Sequence, residues 1–116
     1  MRGLRFFFGA LLVLILLSHG GSTRAENPLK NIYKAQSLYA ILQGDNRYLK
    51  YYAIGYITGV AFRFDDLGTV CIDKESVDHL IMTQHVFQYL KDHEKQRKKY
   101  SNTAIRLALE EAYPCK

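Results

Sequence analysis

Between residues 48 and 64 the chain carries two charges, Lys50 and Arg63, and one other strongly polar residue, Thr58. The remainder of that stretch is aromatic, aliphatic or glycine. A helix opening near Asp45 or Asn46 and running to about Phe64 is therefore apolar on nearly every side. Such a helix has to be covered on nearly every side. It is the central helix of its domain, or it lies in a subunit interface.

The flanking patterns supply the covering elements. Asn27-Pro28 places a capping residue before a proline at the first helical position. Leu29, Ile32, Ala35, Tyr39 and Leu42 then recur at helical spacing, and Gly44 supplies the stop. After a loop at Asp65-Asp66-Leu67-Gly68-Thr69, a third helix is predicted to begin after Asp73, with Val77, Leu80, Ile81, Phe87 and Leu90 as its buried stripe. A fourth is predicted over residues 93–112, with a favourable Glu94 to Lys98 pair, an inner face of Tyr100, Ala104, Leu107 and Ala108, and Pro114 ending it. No apolar–polar alternation is long enough for a strand, and residues 70–72 are at most a short extended piece. The expected fold is all-α, a compact bundle of four to five helices.

Residues 1–25 read as an export signal. Arg2 and Arg5 give a positive start, residues 6–17 are an unbroken apolar run, and residues 18–25 are small and polar with Ala25 before the cut. A membrane span needs about 20 apolar residues, so the run is too short to cross and is expected to be removed. Residues 26–116 then form the single domain, expected in the periplasm and free of the membrane. Losing Arg2, Arg5 and Arg24 takes the formal charge from +5 to +2, because the leader contains no acid. That field is too weak to argue for nucleic acid, whose recognition needs a clustered basic face.

Export makes the cysteines informative. Cys71 and Cys115 are the only two, and a domain of this size is marginal without a cross-link. Their one intramolecular bridge would stabilise the fold by about 4 kcal/mol through loop closure. An intermolecular bridge and a reactive thiol pair are the alternatives, the second unsupported by any Cys-x-x-Cys spacing.

Catalytic patterns are sparse. His79 and His85 are six residues apart and so point about 120° away from each other on a helix, unlike metal-binding histidines spaced by four. His93 follows in a charged segment. There is no glycine-rich phosphate loop and no Gly-x-Ser-x-Gly elbow. The adjacent acids Asp65 and Asp66 suit a solvated or recognition loop better than an acid–base pair. Neither an enzyme nor a cofactor or metal site is expected. Gly55 and Gly59 form a Gly-x-x-x-Gly in the apolar helix; they would admit a neighbouring helix closely within the monomer or form a dimer seam. Lys91, Lys95, Arg97, Lys98 and Lys99 form a basic run, read as a solvated helix face interleaved with Asp92 and Glu94.

Gly55-Tyr56-Ile57-Thr58-Gly59-Val60, the short path to Cys71, Tyr89-Leu90, Ala108-Leu109 and the terminal Tyr113-Pro114-Cys115 together resemble the Rap/Tai immunity family over about two thirds of the chain. The chain departs from that pattern at Asp73 and at His93-Glu94, where members often carry proline. The resemblance implies a small periplasmic helical protein that protects its cell from a peptidoglycan amidase effector delivered by type VI secretion. It also implies a bridge between Cys71 and Cys115. On this reading the partner is the cognate amidase, a homodimer is an option, and nucleic acid is not a partner. Asp65, Asp66, Leu67 and Gly68 are expected to enter the amidase cleft, since an acidic, glycine-containing loop can meet a catalytic His or a basic rim. Two other classes compete: a periplasmic stress chaperone, and a cell-wall ligand binder using Tyr48, Tyr51 and Tyr52.

Overall fold

Side-chain caps open two of the four α-helices, and the computed structural model, which describes residues 27–116, shows each in place. The expected leader and its cleavage point at Ala25 lie outside the described residues. Asn27 accepts the Leu29 N–H and opens a 3₁₀ turn, Pro28–Asn31. Helix α1 (Ala35–Gln43) ends at Gly44, whose N–H donates to the Ala40 carbonyl. Helix α2 (Arg47–Asp66) is capped by Asn46, which accepts the Leu49 N–H at 3.1 Å. Helix α3 (His79–Asp92) is capped by Asp78, which accepts from Leu80 and Ile81. A second 3₁₀ turn, Glu94–Lys98, leads into α4 (Ser101–Ala112). The four α-helices pack on one another around Leu38, Ile57, Met82, Leu90, Ile105 and Leu109, all fully buried. The architecture is the all-α bundle expected, with no strand among the described residues.

Two expected helices are each broken, and for one reason. Lys34 and Tyr100 form an isolated antiparallel bridge. Ala35 N–H donates to the Lys99 carbonyl at 3.0 Å, and Ser101 N–H to the Tyr33 carbonyl at 2.7 Å. The buried Ser101 hydroxyl donates to the Ile32 carbonyl. Backbone groups committed across this seam cannot also serve a helical ladder. The first helix therefore starts at Ala35 instead of next to Pro28, and the last at Ser101 instead of His93. Glu94 and Lys98 lie in a 3₁₀ turn and do not form the ion pair expected of a helix face. Tyr100 is 63% exposed instead of facing inward.

The third helix also starts late. Asp73 does cap, but what it caps is a turn: it accepts the Glu75 N–H and the Ser76 hydroxyl. The helix proper begins six residues after Asp73, at His79, with its phase set by Asp78. That phase turns Met82, Thr83, Val86, Tyr89 and Leu90 inward and leaves Leu80 and Ile81 mostly exposed.

The apolar helix is not enclosed. Only Ala53, Ile57 and Ala61 of α2 are buried, and Tyr48, Tyr51 and Tyr52 face outward. It touches the other three helices on one side, and among the described residues nothing covers the opposite face at Gly55 and Gly59. Among the described residues the helix is thus not covered all round, so of the two readings, central helix or subunit interface, the open face leaves the second standing; tyrosine and glycine tolerate water there where leucine would not.

Candidate functional site

The α2–α3 connection is anchored from both sides. Asp65 and Asp66 are the last residues of α2 and do not belong to the loop itself. The Asp65 carboxylate accepts the Ile72 N–H at 2.8 Å and lies 3.4 Å from the Lys74 ammonium. Asp66 meets the same ammonium at 2.7 Å. Lys74 thus gathers both acids while resting over the Phe62 ring at 5.4 Å. Its hydrogen bond, and then its charge, hold Asp66 below the usual carboxylate range, and Asp66 raises Lys74 in return. The Ser76 hydroxyl and Glu75 N–H hold Asp73 low in the same way.

The far side is fastened covalently. Cys71 and Cys115 form a disulfide with Cα atoms 5.0 Å apart, and the Cys71 N–H donates to the Tyr113 carbonyl at 3.0 Å. Val70 and Ile72, flanking Cys71, are buried in the core. Between these anchors Leu67 is 59% exposed. Gly68 follows at φ 75°, the one positive φ among the described residues and a conformation L side chains resist. Of the four predicted loop residues, Asp65 acts as an inner brace, Asp66 is tied to Lys74 at the surface, and Leu67 with Gly68 forms the free apex. Sequence reasoning missed Lys74; the one available signal was a lone cation eight residues beyond an acid pair.

The bare face of α2 is the second surface. Tyr48, Tyr52, Gly55, Gly59, Arg63 and Asp66 recur every three or four residues, with Tyr51 beside Tyr52, and all are exposed. A Cβ built on Gly55 or Gly59 would meet nothing within 4 Å. Among the described residues, then, no neighbouring helix stands against either glycine.

The histidines do not converge. His79 shares a hydrogen bond with the Thr58 hydroxyl at 3.1 Å, His85 stands edge-on to Tyr113, and His93 stacks on Tyr89 with centroids 4.1 Å apart. Among the described residues no group of three or more His, Cys, Asp or Glu is placed to hold a metal ion. No described helix is long and apolar enough to cross a membrane.

The described residues thus form a cross-linked helical bundle with a braced loop and a helix face left open to solvent. A family model described as Rap1a immunity proteins matches residues 33–115. The chain belongs to this immunity-protein family, which is generally non-catalytic and works by binding an effector protein. No curated protein and no solved structure matches it.

Proposed function

We propose that the protein is exported to the periplasm and there neutralises a peptidoglycan amidase effector of type VI secretion, seating the α2–α3 loop in the enzyme's cleft. Family membership supports the immunity role. The observation that carries the loop reading is its apex: Leu67 is apolar and exposed, while the chain on both sides is fixed by Asp65, Lys74 and the disulfide. A segment already ordered loses little conformational entropy on docking. The Asp66–Lys74 pair beside it offers either sign of charge to a cleft rim. The test pairs the purified protein with any peptidoglycan amidase encoded beside it, reading affinity and cell-wall hydrolysis. We expect a complex at about micromolar concentration or tighter and loss of hydrolysis. Leu67→Asp should weaken it at least about tenfold without moving the melting temperature. Absence of a complex ends the amidase reading; a complex indifferent to Leu67→Asp ends the loop reading alone.

The bare face of α2 supports a homodimer as well. In an antiparallel crossing of two copies, Gly55 lies opposite the partner's Gly59, Tyr51 opposite the partner's Arg63, and Tyr48 opposite the partner's Asp66. The face is thus complementary to itself, as a two-fold interface requires. Sedimentation of the wild type against Gly59→Leu tests it. The wild type sediments as a dimer and the variant as a folded monomer; a monomeric wild type overturns the dimer.

A further inference from the structure

Lys34 and Tyr100, joined by the backbone bridge, are also the residues that precede two helices. Lys34 precedes α1 and Tyr100 precedes α4; neither makes a side-chain capping bond, and neither first turn contains an acid. The positive ends of two helix dipoles are thus brought side by side. The 3₁₀ turn Glu94–Lys98 delivers further cations to the same place. A groove of about 450 Å³ is lined by Lys34, Gln36, Arg97, Lys98, Lys99 and Tyr100. Four of those six carry positive charge and none is acidic. Among the described residues the carboxylate ion pairs go to Lys74 and Arg106, and none reaches these four. Arg97 is held by stacking over Tyr39, 4.4 Å from the ring centroid, and its Nε is buried without a hydrogen-bond partner. Lys91 of the basic run does lie on a helix face, in the last turn of α3, but Arg97, Lys98 and Lys99 close a cationic groove whose other wall, Lys34 and Gln36, comes from more than sixty positions earlier.

We propose that this groove binds a phosphate-bearing ligand. Like charges gathered in one concavity repel one another until an anion answers them. A phosphate ester brings close to two negative charges at neutral pH and three strong acceptor oxygens. Lysines meet it as point charges, and a guanidinium pre-set by stacking meets it as a fork. Two helix N-termini add to the same field. A single carboxylate would leave most of these cations unanswered. The volume exceeds that of bare phosphate, so there is room for the group esterified to it, with the Tyr100 ring as one wall. The site shares no residue with the α2–α3 loop and stands independently of amidase inhibition.

The experiment is a titration of the purified protein with inorganic phosphate and pyrophosphate, at ionic strength held constant with chloride and followed by amide chemical shifts. Saturable shifts are expected at residues 34–37 and 97–102, together with a melting temperature that rises with ligand. The K34Q/K99Q variant should bind about tenfold more weakly. Its ligand-free melting temperature should not fall, since both side chains are exposed and their mutual repulsion is relieved, and K34R/K99R should restore binding. Sedimentation with phosphatidylglycerol or phosphatidylcholine vesicles separates the sources. Binding to the first alone that K34Q/K99Q abolishes identifies a lipid headgroup, whereas phosphate shifts without vesicle binding identify a soluble ester. Absence of saturable shifts, or shifts equally strong in K34Q/K99Q, overturns the proposal.

Discussion

Gly55 and Gly59 each make α2 less stable than alanine would by about 1 kcal/mol, and no described residue occupies the space that a methyl group would take. Alanine at both positions should therefore raise the stability of the monomer by about 1–2 kcal/mol in urea unfolding. No gain would mean that the face is already filled. Ser101 is the opposite case, a small polar residue that is fully buried and bonded across the seam to Ile32. Ser101→Ala leaves that carbonyl unanswered and should cost about 1–3 kcal/mol by the same measurement. Asp66 and Asp73 add a pH dependence with a definite sign. Both are held below the ordinary aspartate range in the folded state. Their support is complete above that range and is lost as pH falls through their lowered values. Amide protection across residues 66–76 should hold at neutral pH and decline only on acidification below the ordinary aspartate range, before the buried helices lose theirs.

At the scale of elements, the caps carried most of what could be foreseen. Asn46, Gly44 and Pro114 act within a few residues of themselves, so their effect on α1, α2 and α4 is visible in a linear reading. The breaks were invisible because their cause is not local: nothing around Lys34 announces that it will pair with Tyr100. The phase of α3 failed for a related reason. Asp73 and Asp78 are both competent caps, and the choice between them depends on where the disulfide and the buried Ile72 hold the preceding segment. The difference is measurable. Leu90→Ala, at a fully buried position, should lose about 2–5 kcal/mol, whereas Leu80→Ala, at a 59% exposed one, should change stability by about 0.5 kcal/mol or less. Equal losses would restore the phase read from the sequence.

For the whole molecule, the cysteine pair was legible because two cysteines allow only one internal bridge, and the family resemblance because its motifs, such as Gly55 to Val60 and Tyr113-Pro114-Cys115, are contiguous in the chain. The loop site was legible only in part. Its glycine and acids stand together in the chain, but the roles of Asp65 as brace and Asp66 as surface partner are decided by Lys74, which reaches them only after folding. The bridge spans 44 residues, so reducing it should lower stability by about 4 kcal/mol, read as a fall in the denaturation midpoint with added reductant. An unchanged midpoint would mean that the reduced chain is already confined by other contacts.

The seam that closes the bundle joins groups 69 residues apart, from Ile32 to Ser101. Until synthesis or delivery has reached that serine, the segment before α1 has no backbone partner there, so closing the bundle waits for the fourth helix. A truncated product ending just short of it would keep three helices' worth of sequence and still stay open to proteases.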